Sequence, residues 1–309
     1  PETASRIREI AEKAGYHPNL LARKLAFNRS FQLGFALPLN LEGAHRGPLR
    51  MSYYSDILDG MVAAAFKRGY RMSLYPYESD GANAVQQLVE AVKRRDVDGL
   101  ALLGLRLDSA IPASLLRAGV PFILIGSRCK GALSVNWDQR QAIKKLLECL
   151  EKDGYERLVH VCGSSCFHDA RRQNAALEDA VSGTRFASCE TLEGDYSKAS
   201  GYLAAKHIFG ERKTKIPKRK TCVFLACDKM AAGFYNFCYE RKISIPGDIG
   251  VFGSDGGELS KALHPRLCTA LQPRSQMGTL AADMLINLCS GSSPSSKEAE
   301  IAGAFIDGS

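Results

Sequence analysis

Few side chains in this 309-residue chain stand where they could do chemistry. His168 and Asp169 are adjacent, an imidazole beside a carboxylate that could in principle move a proton. No nucleophile accompanies them, and they read as a solvated loop or helix start. Cys162 and Cys166 are flanked by serine, no CxxC occurs, and most of the ten cysteines sit in apolar runs such as "TCVFLAC". Such thiols read as buried and reduced rather than as zinc ligands or disulfides. Gly253, Gly256 and Gly257 in "GSDGG" lack the spacing and the following helix of a dinucleotide fingerprint. The residues predict no catalytic group, no metal ligand set and no cofactor. The chain reads as a binder.

What could position a binding site is a regular alternation of strand and helix from Phe31 onward. "FQLGFALPL", "RMSLYPY", "DGLALLGL" and "PFILIGS" read as strands, separated by amphipathic stretches such as "YYSDILDGMVAAAFKRGY" and "NAVQQLVEAVKRRDV". After helical "QRQAIKKLLECLEKDGY" a second round begins at "RLVHVCG" and continues through helix 168–182, "FASCETL", helix 197–210, "TCVFLAC", "DKMAAGFYNFCYERK" and "IGVFGSD". Short apolar strands alternating with helices of about 10–15 residues indicate α/β architecture with parallel sheets covered on both faces. Two rounds imply two doubly wound lobes. Open parallel sheets bind ligands at the carboxyl ends of their strands, so a cleft between the lobes is the expected site.

A 45% hydrophobic composition is enough for two cores, and no apolar run is long enough for a membrane span. No charged-then-apolar leader opens the chain, which implies a cytoplasmic protein. The net charge of +8 suits a polyanionic partner. Basic residues gather in an N-terminal arm (Arg6, Arg8, Lys13, Arg23, Lys24, Arg29) and in "ERKTKIPKRK", which reads as a solvated loop. The arm itself holds a helical pattern at Ile7, Ile10, Ala11 and Ala14, then "PNLLARKLA", with Asn19 as a plausible cap. These pieces are too short to fold alone.

The arm "PETASRIREIAEKAGYHPNLLARKLAFNRSFQLGFALP", together with "SVNWDQ", "GDYSKASGY", "CDKMAAGFYNFCYERKISIPGDIGVFGSDG" and "HPRLCTALQPRSQMGTLAADML", resembles the LacI/GalR family of bacterial transcription regulators nearly end to end. The resemblance implies a DNA-binding headpiece, a hinge helix and two lobes of the periplasmic-binding-protein type I fold. It makes residues 1–30 the remnant of headpiece and hinge, without the two earlier headpiece helices and so without major-groove readout in this stretch. Residues 31–150 with 272–290 become the first lobe, and 151–271 with 291–309 the second. Asn19, Ala22, Arg23, Lys24, Leu25 and Arg29 become DNA-contacting residues: Leu25 a wedge between base steps, the cations near phosphates. Paired hinges require a homodimer, through helix 55–69 and its "MVAAAF" face.

By the same resemblance the cleft holds a small, carbohydrate-like effector. Tyr53, Tyr54, Ser127, Arg128 and Asp138 are assigned to its first-lobe side and lobe junction, and Tyr196, Cys227 and Asp255 to its second-lobe side. Asp228 reads as a helix cap. Two positions depart from the family pattern. The arginine that grips ligand oxygens aligns with Gln173, or with Arg172 after a one-residue shift, and Cys227 stands where a polar residue is common. The implied function is a ligand-gated DNA-binding regulator, a repressor by the better-known members, working with operator DNA and no membrane. The alternative is a solute-binding protein feeding a transporter, which has no use for a basic hinge.

Overall fold

The computed structural model describes residues 6, 10, 13, 26–39, 52–78, 81–184, 186, 188–210, 216–292 and 296–308. The predicted strand-and-helix alternation builds two six-stranded sheets. In the first, β1 (Gln32–Pro38), β2 (Arg71–Tyr77), β3 (Gly99–Leu103), β4 (Phe122–Ile125), β5 (Leu133–Asp138) and β11 (Glu298–Ala302) lie in the order β11-β5-β4-β3-β1-β2. The second orders β6 (Arg157–Cys162), β7 (Ser188–Glu193), β8 (Thr221–Leu225), β9 (Gly250–Asp255), β10 (Cys268–Leu271) and β12 (Ala304–Ile306) as β12-β10-β9-β8-β6-β7. Every pairing is parallel except β10 with β12. Strand order reverses at β1/β3 and at β6/β8, which opens a crevice at the carboxyl end of each sheet.

Helices cover both faces, which is why the central strands are apolar on both sides. On the first sheet, α1 (Ser52–Lys67) and α9 (Arg274–Cys289) pack on one face, and α2 (Ala82–Lys93) with α3 (Ile111–Arg117) on the other. The second sheet is flanked by α4 (Arg140–Lys152) and α5 (His168–Val181) on one side, and by α6 (Lys198–Phe209) and α7 (Asp228–Glu240) on the other. A short helix, α8 (Glu258–Ala262), follows β9. Glycines let neighbouring helices approach backbone to backbone. A Cβ on Gly60 of α1 would sit 2.0 Å from the Ser275 carbonyl oxygen of α9, and one on Gly278 would sit 2.0 Å from that of Ile57.

The chain crosses between lobes three times, and the crossings lie side by side. They fall at Asp138–Gln139, at Gln272–Pro273 and at Ala302–Gly303, with the Gly303 N–H donating to the Asp138 carbonyl at 3.0 Å. A Cβ on Gly303 would be 2.8 Å from the Trp137 ring, so this crossing needs glycine. The expected boundaries are corrected here in two places. Helix α4 packs on β10, β12 and α5 of the second lobe, so the first crossing comes before it and not at residue 150. The segment 291–309 is divided, because β11 extends the first sheet beside β5 and only β12 joins the second. A short exposed edge strand of alternating pattern such as "EAEIA" carries too little apolar signal to declare its partner.

Candidate functional site

The lobes face each other across a cleft of about 710 Å³. The N-terminal turn of α1 and the strand ends at Gly104, Gly126 and Trp137 line one side of it. The start of α5, Tyr196, Cys227, Ser254 and Asp255 line the other. Aromatic side chains stand on both walls. Tyr53 and Tyr54 meet edge to face with centroids 5.6 Å apart, and Phe167 meets Tyr196 at 6.3 Å. Tyr196 takes a φ of +64°, a left-handed backbone that is uncommon for a large residue and costs about 1–3 kcal/mol. Its ring lies against Gly163, where a Cβ would come within 1.9 Å of it. A strained residue held at a cleft wall by a bare backbone is a mark of a pre-organised contact surface.

The electrostatic centre is Arg274, which is 4% exposed. Its guanidinium pairs with Asp255 of the second lobe and with Asp56 of α1 at 3.2 Å, and donates to Ser52 Oγ at 3.0 Å and Gln272 Oε1 at 3.0 Å. Burial opposes its charge, yet the carboxylates of Asp255 and Asp56 more than offset this and hold the pKa above its ordinary value. Asp228 lies behind Asp255. It accepts from Thr269 Oγ1 at 2.6 Å and from the Gly256 N–H at 3.0 Å, while its own N–H donates to Asp255 Oδ2 at 3.0 Å. Burial, then the neighbouring Asp255 charge, pushes the Asp228 carboxyl upward.

Seven of the predicted effector residues meet in this cleft: Tyr53, Tyr54, Ser127, Gln173, Tyr196, Cys227 and Asp255. Gln173 is buried and donates to Ser254 Oγ at 3.1 Å. Three do not. Arg128, Asp138 and Arg172 line a separate depression beside the crossings, where Glu300 of β11 holds the two arginines. Arg128 and Arg172 both pair with Glu300, the latter at 2.7 Å, and Asp138 is held by Arg140 at 2.9 Å. Arg172 also donates to the Trp137 carbonyl at 3.1 Å. These are lobe-junction contacts rather than cleft contacts. Of the two candidates for the family's arginine position, Gln173 faces the cleft.

Two further expectations are corrected. Asp228 does not cap α7; the Cys227 thiol does, accepting from the Met230 N–H at 3.4 Å. His168 and Asp169 form the expected helix start, but not a solvated one. They open α5 and line the cleft, with His168 Nδ1 and Asp169 Oδ1 buried and without hydrogen-bond partners. Burial lifts the Asp169 carboxyl to about 6, against the opposing pull of Arg172 and Arg274. His168 is shifted down, first by burial and then by Arg172 and Arg128, which keeps its imidazole neutral near pH 7.

Asn19, Ala22, Arg23, Lys24 and Leu25 lie outside the described residues. Arg29 is described, and its guanidinium donates to Ser290 Oγ at 3.2 Å, against the first lobe.

Residues 147–308 match the family model of the periplasmic binding protein-like domain, more than half of the chain. The chain belongs to the LacI/GalR family of transcription regulators, with their periplasmic-binding-protein-like effector domain. Among curated relatives it is 26% identical over 288 residues to the ribose operon repressor of Escherichia coli (strain K12), covering 92% of this chain and 83% of that protein. It is 23% identical over 290 residues, with the same coverage, to catabolite control protein A of Priestia megaterium. In fold it is similar to the lac repressor dimer bound to operator and the anti-inducer ONPF, with TM-score 0.78, 22% identity, and 94% of this chain and 98% of that one covered. A complex of the transcriptional regulator CelR with cellobiose is similar at TM-score 0.77 and 19% identity, covering 99% and 90%. No helix among the described residues is long and apolar enough to cross a membrane.

Proposed function

We propose that this LacI/GalR-family regulator works in the cytoplasm as a homodimer whose cleft binds a small metabolite and thereby controls operator binding. The observation that carries the reading is the lobe-bridging position of Arg274. It starts α9 on the first lobe, yet holds Asp255 at a strand end of the second. A ligand that enters beside this pair alters the angle between the lobes, because the three crossings are the covalent links on which they turn. That angle sets how the first lobes of two subunits meet, and so whether the hinge segments of residues 19–27 can pair on DNA. Coupling between two sites requires different ligand affinity in the two arrangements and typically amounts to about 1–3 kcal/mol.

Tyr53, Tyr54, Phe167 and Tyr196 are the apolar faces on which an effector ring would lie, while Gln173, Asp169 and Asp255 supply polar contacts. The subunit contact is assigned to α1, where Phe66 is 81% exposed and Val62 45% exposed on the helix face turned from the core. Leucine-bearing hinges would then sit together in the minor groove, with Arg23 and Lys24 adding salt-dependent affinity. The test is operator binding by the full-length protein, followed by fluorescence anisotropy with the DNA upstream of its own gene, with and without a cleft ligand. A change in affinity of about 5–150-fold is expected. An affinity that stays constant at saturating ligand overturns the reading.

A further inference from the structure

The charge in the cleft is not balanced, and the imbalance bears on what enters it; this inference rests on the effector-site reading above. Six carboxylates line the cleft against two cationic side chains, Lys229 and Arg274. Most of the acids are accounted for by neighbours. Arg274 answers Asp255 and Asp56, Asp228 accepts two hydrogen bonds, Asp195 accepts from the Ser197 N–H at 2.8 Å, and Glu258 pairs with Lys261 at 2.6 Å. Asp169 is different. Its Oδ1 is closed off from solvent with no donor, and among the described residues no ion pair reaches it. The nearest arginines pull on Asp169 without bonding to it: Arg172 Nη2 is taken by Glu300 and the Trp137 carbonyl while its Nη1 is buried without a partner, and Arg274 holds its own pair of acids.

The surroundings of Asp169 are aromatic. Its Oδ2 and the Tyr53 hydroxyl both crowd the bare Cα of Gly126, where a Cβ would lie 2.8 Å and 2.3 Å from them. Phe167 and Tyr196 stand on the same side of the cleft. A carboxylate with no ion-pair partner among aromatic faces attracts a cation twice, by Coulomb energy strengthened away from water and by the ring quadrupoles. A neutral hydroxyl could donate to Oδ1 but would leave the charge in place. An ammonium group also has several protons to give, and the buried, unpartnered Nδ1 of His168 lines the same cleft as a further acceptor. We infer that the effector carries a protonated amine, seated against Asp169 between aromatic walls, on a body small enough for the cleft.

The experiment is calorimetric titration of the full chain at pH 7.5 with amines and their neutral counterparts: D-glucosamine with D-glucose and N-acetyl-D-glucosamine, putrescine with 1,4-butanediol, and tyramine with 4-ethylphenol. At least one amine is expected to bind ten or more times tighter than its neutral counterpart. Asp169→Asn should erase that preference, and Asp169→Glu should restore part of it, with circular dichroism confirming that each variant is folded. Equal or tighter binding by the neutral compounds, no binding by any amine, or an undiminished preference in Asp169→Asn each overturn the inference. Binding by a neutral compound leaves the cleft as an effector site and removes only the amine. Amine binding of the expected pattern with unaltered operator affinity removes the regulatory reading and leaves this one standing.

Discussion

Arg274 and Asp255 form an ion pair that joins the two lobes next to their crossings, and Asp56 of α1 shares the same guanidinium. The second lobe contributes the acid at the end of β9, and the first contributes the base at the start of α9. Because the arginine is nearly enclosed, its worth depends on what is left when one partner goes. A buried pair gains little over an apolar replacement, whereas a lone buried charge is costly.

Arg274→Ala is therefore expected to destabilise the protein by about 3–5 kcal/mol, since it strands Asp255 and Asp56 together. Arg274→Lys should recover only part of this. A lysine ammonium cannot reach Asp255, Asp56, Ser52 and Gln272 in the fork geometry that guanidinium provides. Urea denaturation of the three proteins measures it, and equal midpoints for wild type and Arg274→Ala would show that the pair bears no load.

The Tyr196 ring depends on the absence of a side chain at Gly163. In Gly163→Ala the new methyl would fall 1.9 Å from the ring, inside contact distance, and the ring must leave the cleft wall. Ligand affinity is expected to drop at least tenfold, while stability changes by about 1–3 kcal/mol from the overpacking. Titration of Gly163→Ala with whichever ligand binds the wild type reads this out, and retained affinity would remove Tyr196 from the site.

The two lobes and most of the cleft's walls were legible because hydrophobic alternation reports directly on strands buried on both faces. The resemblance, rather than the alternation, assigned Tyr53, Tyr196 and Asp255 to the cleft, and all three line it. The errors share a cause. Arg128 and Asp138 stand close to strand ends and Arg172 in the opening turns of α5, but which way a charged side chain turns depends on a partner. Here that partner is Glu300, brought in by an edge strand far along the chain, or Arg140 two residues on. Arg274 escaped notice for the converse reason, since its three carboxyl and hydroxyl partners come from distant segments. His168 and Asp169 looked solvated because adjacency in sequence does not say which face of a helix start looks into a cleft.

Asp169 makes a prediction about pH. Burial raises its carboxyl from 3.8 to about 6 in the folded protein. The native state thus holds a proton that the unfolded chain has released, so the contribution of this group to stability is complete below about pH 4 and is lost as pH rises through 6. By pH 7 the cost approaches about 3 kcal/mol at most, at 1.36 kcal/mol per unit. Asp169→Asn removes the charge and should be more stable than wild type by roughly 1–3 kcal/mol at pH 7 while matching it at pH 4. Thermal melts across pH 4–8 test this, and a constant difference between the two proteins contradicts it.

The last prediction concerns the face of α1 turned from the core. Met61, Ala64 and Ala65 of the "MVAAAF" run are buried, whereas Val62 and Phe66 point outward. Strand β2 beside them is the edge of the first sheet, and its Leu74 is 49% exposed. An unprotected edge strand next to an apolar helix face is a surface that soluble proteins cover. A second subunit covers it in the reading given above. Phe66→Asp places a charge in the centre of that contact and should convert the dimer to a monomer at micromolar concentration in sedimentation velocity. Phe66 is 81% exposed, so the monomer's own melting behaviour should change by less than about 0.5 kcal/mol, as for surface substitutions generally. In the same reading, operator affinity should fall with the dimer. If Phe66→Asp still sediments as a dimer, the subunit contact lies elsewhere on the first or second lobe, and the route by which a cleft ligand would reach the hinge must be redrawn from that surface.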